Sequence, residues 1–95
     1  MKIYARIDYF KEDGVIVALC PELQVSSFGN TIVEAEQSIQ EALELFFEGC
    51  ETMGSLNEVL EESGYIKIAD NWRLRKPVKT TETSFHWKER ATSYA

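Results

Sequence analysis

The chain has 95 residues and a net charge of −6, a length that allows one domain with a single modest core. Its composition, 44% hydrophobic and 27% charged, is that of a globular protein, and no apolar run approaches the roughly 18 residues a transmembrane helix needs. The charge is unevenly placed: residues 1–64 hold 3 Lys/Arg against 13 Asp/Glu, and residues 65–95 hold 7 against 3, so an acidic body carries a basic C-terminal segment, a layout that suits self-association, partners of opposite sign, or plain solvation.

Lys2 to Phe10 alternates. Ile3, Ala5, Ile7 and Tyr9 fall on one side, and Tyr4, Arg6, Asp8 and Phe10 on the other, which predicts a half-buried strand. Lys11-Glu12-Asp13-Gly14 reads as a polar turn, and Val15 to Leu19 as a central strand buried on both faces; the two strands make a hairpin. Pro21 has no amide to donate and ends the second strand, and Gln24 to Phe28 is a third. Thr31-Ile32-Val33-Glu34 fits a capping box. It opens a helix whose core arc is Ile32, Ala35, Ile39, Ala42, Leu43 and Phe46 and whose opposite arc is Glu34, Gln37, Glu41, Glu44, Glu48 and Glu51, with Gly49 or Gly54 as its end. Ser55-Leu56-Asn57-Glu58 predicts a second capping box and a short helix stopped by Gly64. Tyr65 to Ala69 alternates as a strand. Beyond it, Trp72 to Lys79 is mixed basic and apolar, Thr80 to Ser84 is polar with β-favouring threonines, and Arg90 to Ala95 has the composition of a frayed end.

The predicted fold is therefore α+β: a two-layer β-β-β-α-(α)-β domain over residues 1–70 with helices on one face of an antiparallel sheet, then a basic strand or tail over residues 71–95. The helix-free face would carry Tyr4 and Phe10. An apolar sheet face is usually covered, here by a dimer mate, the tail or a foreign partner, and a chain this short gains buried area by dimerising.

Catalytic chemistry is sparse. The only histidine, His86, lies in the tail, with no motif joining it to Cys20 or Cys50. The two cysteines fit no zinc spacing and read as free thiols in a reducing cytoplasm, with a mutual disulfide as the other option. Asp8 and Asp13 flank the first turn, where a two-metal nuclease would need clustered carboxylates; a turn aspartate and a surface pair with Arg6 is the simpler account. The glutamate arc, with Glu41, Glu44 and Glu48 at its centre, is either the solvated side of an amphipathic helix or a surface for a basic partner. Lys67, Arg73, Arg75, Lys76, Lys79, Lys88 and Arg90 interleave with Trp72, Phe85 and Trp87, a pattern compatible with nucleic-acid contact, with packing on the acidic body, or with pairing to a second copy; Arg73, Arg75 and Lys76 are the candidate nucleic-acid residues.

Asp13-Gly14-Val15-Ile16-Val17-Ala18-Leu19-Cys20-Pro21-Glu22-Leu23, then Ser27-Phe28-Gly29-Asn30-Thr31, then Glu34-Ala35 and Glu41-Ala42-Leu43-Glu44-Leu45 resemble the HicB-like antitoxin family over about residues 1–50. The resemblance implies a partial RNase H-like fold without its catalytic set, and an oligomeric antitoxin that occludes the active site of a small basic RNA-cleaving toxin of the HicA type. Many relatives carry a C-terminal DNA-binding domain for autoregulation; no such pattern follows Gly64 here.

The expectation is thus a non-enzymatic, cytoplasmic binding protein with no catalytic residue, metal or cofactor, no membrane association and no secretory leader, forming a homodimer or higher oligomer. Its candidate partner contacts are the Pro21-Glu22-Leu23 corner and Glu41, Glu44 and Glu48. The rival readings are a metal-dependent nuclease on an RNase H-like core and a transcriptional autorepressor acting through the basic tail.

Overall fold

The period-two segments fold as strands and the three-and-four periodic segments as helices. A computed structural model describes residues 1–88. It contains β1 (Asp8–Glu12), β2 (Val15–Cys20), β3 (Val25–Gly29), α1 (Ile32–Thr52), α2 (Leu56–Glu62), β4 (Tyr65–Ile68) and β5 (Asn71–Leu74). The predicted α+β architecture is the one observed, with a three-stranded antiparallel sheet, a long helix, a short helix and a two-stranded antiparallel sheet. Arg90, and the Arg90 to Ala95 end, lie outside the described residues.

The turn at Asp13-Gly14, both with positive φ, sets the β1–β2 register. In that register Phe10 faces Val17, and Val17 faces Phe28 across the next ladder. Successive side chains alternate faces, so Phe10, Val17 and Phe28 share a row on one face, with Val15 and Leu19 beside it. The other face carries Tyr9, Ala18 and Ser27 in register and receives α1. There the Ser27 hydroxyl donates to Ser38 Oγ of α1 at 2.8 Å. Ala18, Cys20, Ala35, Ile39, Leu43, Leu60, Tyr65 and Trp72 form the buried core.

The α1 N-terminus is capped much as the sequence predicts. The Glu34 amide donates to Thr31 Oγ1 at 3.1 Å, and the Glu34 carboxylate accepts from the Asn30 amide at 3.4 Å. The helix passes Gly49 without interruption and ends at Thr52, before Gly54 at φ 71°. Ile32, expected on the core arc, is the first residue of α1 and is exposed; burial on that arc begins one turn later, at Ala35. The second predicted capping box does not form. Ser55 makes no side-chain cap; its amide and its hydroxyl both donate to the Cys50 carbonyl, at 2.8 and 3.3 Å, so the serine closes the end of α1 rather than opening α2. Nor is the Val15–Leu19 strand fully buried on both faces: Ala18 is buried, while Val15, Val17 and Leu19 on the helix-free side are only half-buried.

The N-terminal segment differs from a single strand over Lys2 to Phe10. Only Asp8–Glu12 pairs with β2. The start of the chain instead runs parallel to β5: the Trp72 amide donates to the Lys2 carbonyl at 2.8 Å, and the Tyr4 amide to the Trp72 carbonyl at 3.0 Å. One segment thereby joins the two sheets. The packed body also extends beyond residue 70, because β5 carries Trp72 into the core at 3% exposure. The last backbone hydrogen bond among the described residues that holds the tail runs from the Arg75 amide to the Gly64 carbonyl at 3.1 Å.

Candidate functional site

The Pro21-Glu22-Leu23 corner is turned mostly inward. The Gln24 amide donates to the Pro21 carbonyl at 3.3 Å, and Gln24 takes φ 56°, closing a tight turn. Leu23 is 6% exposed and belongs to the core. Glu22 accepts from Arg6 Nε at 3.1 Å, and its second carboxylate oxygen is buried without a hydrogen-bond partner. Beneath it, the Tyr65 phenol is pushed up to about 12, first by burial and then by the neighbouring Cys20 and Glu22. The corner thus holds β2, β3 and the core in place and leaves a partner only the half-buried Pro21 and Glu22.

Arg6 also meets Asp8 at 3.0 Å, the surface pair that the strand alternation predicts. Both carboxylates hold the guanidinium in its charged form, Glu22 most strongly. Asp13 sits in the β1–β2 turn, five residues from Asp8, or roughly 16 Å along an extended chain. The two aspartates do not converge, and no group of three or more potential metal ligands forms among the described residues. Cys20 and Cys50 are free and buried. Burial pushes the Cys20 thiol up, away from the reactive thiolate, while His86 lies in the exposed tail. The described residues do not assemble a Cys–His pair.

Glu41, Glu44 and Glu48 all project from the solvent side of α1 and are exposed, as are Glu34 and Glu51 on the same arc. The ion pairs among the described residues are those of Arg6 with Asp8 and Glu22, and of the N-terminal ammonium with Asp70; none involves this arc. Leu45, one turn from both Glu41 and Glu48, is 69% exposed. It places an apolar contact within the acidic surface, which the sequence reading assigned to no face.

The basic residues gather elsewhere. Arg73 lies over the Tyr4 ring with its guanidinium carbon 3.8 Å from the centroid, a close cation–π stack. Arg73, Arg75 and Lys76 line a groove of about 990 Å³ together with Tyr4, Arg6 and Glu22. The three candidate nucleic-acid residues are therefore brought to one place, alongside a carboxylate. Lys67 instead lies 5.8 Å from the Trp72 ring centroid, capping the buried indole. No helix is long and apolar enough to cross a membrane among the described residues. No protein-family model, curated protein or solved structure matches the chain.

Proposed function

We propose that this chain is a non-enzymatic, antitoxin-like binding domain that covers the active site of a small basic ribonuclease, as the HicB-like resemblance implies. The observation that carries the reading is the acidic face of α1, where Glu41, Glu44 and Glu48 are exposed around Leu45 and enter no ion pair among the described residues. Carboxylates left uncompensated by their own chain accelerate capture of a cationic protein, and an exposed leucine among them supplies apolar contact area. The Pro21-Glu22-Leu23 corner acts as the support that fixes the sheet beneath that helix.

The test is co-purification with a small basic protein encoded beside this one, followed by charge reversal. Glu41→Lys, Glu44→Lys and Glu48→Lys together should leave the fold intact, since all three are exposed, and weaken binding by at least about 100-fold, chiefly through association at low salt. Binding that survives the triple substitution within about threefold would remove the helix face from the interface.

A second reading has its own observation, the convergence of Arg73, Arg75 and Lys76 on one groove. Here the chain binds nucleic acid, including its own promoter as an autorepressor. A gel shift across salt concentrations tests it: phosphate contact predicts weakening as salt rises, and no shift at low salt eliminates this reading.

A further inference from the structure

We infer that the extended C-terminal tail of one chain docks on the helix-free sheet face and open β3 edge of a second copy, so that two chains exchange tails. The receiving surface is apolar. Phe10, Val17 and Phe28 form a row across all three strands of the first sheet, and Phe10 and Phe28 remain 49% and 67% exposed. β3 is the terminal strand of that sheet, so its outer backbone groups offer a template for another strand.

The tail has the matching pattern. Phe85 and Trp87 are two residues apart, 79% and 83% exposed, and alternate with Ser84, His86 and Lys88. In an extended strand, both aromatics point to one face and the polar residues to the other. Added along β3, this segment sets its aromatics against Phe28 and the row behind it. Charge favours the same docking: residues 75–88 hold Arg75, Lys76, Lys79 and Lys88 against Glu82 alone, while the turn end of the receiving sheet holds Glu12 and Asp13 against Lys11. Covering two tail aromatics in each chain, at roughly 150 Å² or more apiece, and as much sheet surface, removes roughly 1,200 Å² or more in a two-fold dimer, within the range of stable interfaces. The exchange does not depend on the acidic face of α1.

The full-length chain is measured by sedimentation across protein concentrations up to about 100 μM. The expected result is a dimer that dissociates on dilution. Phe85→Ser with Trp87→Ser should raise its dissociation constant by at least about 100-fold, as should Phe28→Ser on the sheet; circular dichroism verifies that each variant stays folded. Mixing the tail variant, whose sheet face is intact, with the Phe28 variant, whose tail is intact, should restore association in part, because one tail–sheet contact is recovered. A wild-type chain that stays monomeric, including one whose tail folds back on its own sheet, overturns the inference. So does a dimer indifferent to these substitutions, or a mixture that associates no better than either variant alone.

Discussion

Gly29→Ala isolates the closest approach in the fold. Gly29 ends β3 as the chain turns into α1, and its backbone lies so near the helix that an added methyl group would stand 2.5 Å from the Ala35 amide nitrogen, 2.7 Å from Glu34 Cβ and 2.8 Å from the Glu34 carbonyl carbon. The shortest of these is about 1 Å inside ordinary contact, and two of the three atoms belong to the helix backbone, so no side chain can rotate away. The first turn of α1 must move. Overpacking of this kind costs about 1–3 kcal/mol, and the displaced turn also strains the bond from the Glu34 amide to Thr31 Oγ1, whose loss costs about 1 kcal/mol. The expected destabilisation is about 2–4 kcal/mol, or a fall in melting temperature of roughly 10–25 °C for a domain of this size. Gly49→Ala is the control. Nothing lies within 4 Å of its added carbon, inside the same helix, and alanine there should stabilise by about 0.5–1 kcal/mol. Urea unfolding followed by far-ultraviolet circular dichroism, at one protein concentration, reads both. A Gly29→Ala variant within about 0.5 kcal/mol of wild type would refute the contact on which the β3–α1 junction is built.

Leu60→Ala, at a fully buried position that locks α2 into the core, should cost about 2–5 kcal/mol in the same assay. Tyr65 predicts a pH dependence. Its phenol titrates near 10 when unfolded and near 12 in the folded chain, so the folded state holds the proton longer, and its contribution is intact below pH 10 and lost as pH rises through about 12. Tyr65→Phe should flatten that alkaline fall; an unchanged slope would count against the burial of the hydroxyl. The Glu41, Glu44 and Glu48 reversal and the tail exchange complete the set, and they are separable, since the first reads a foreign partner and the second a self-association.

Much of the fold was legible because local chemistry and tertiary placement agree. The Asp13-Gly14 turn, the Pro21 stop and the Thr31–Glu34 cap each specify backbone geometry within a few residues, and the glutamate arc of α1 follows from helical period alone. The final hairpin was not legible. Its turn is Ala69-Asp70, with Ala69 at φ 56°, where a glycine or asparagine would be the usual signal. Trp72 therefore sat unmarked among basic residues, although it is a core residue. Ser55 misled for a related reason: a serine before a helix also follows another, and the carbonyl behind it took its hydroxyl. At the candidate site, Leu23 and Glu22 looked like partner contacts because a corner motif does not disclose which way its side chains turn. The basic groove needed the β5 placement that the sequence did not supply.

The pairing of Lys2 and Tyr4 with Trp72 has a consequence for synthesis. Synthesis runs from the N-terminal side, so the Lys2–Tyr4 segment is made some seventy residues before the strand that flanks it. At about 5–20 residues per second, the N-terminal segment waits several seconds with its hydrogen-bonding groups open. The β1–β2 hairpin, β3 and α1 can assemble in that interval, but the seam between the two sheets closes only after Leu74 has emerged. Slowing translation after α2 should therefore lengthen the life of a half-built body whose missing edge is the one that Trp72 completes.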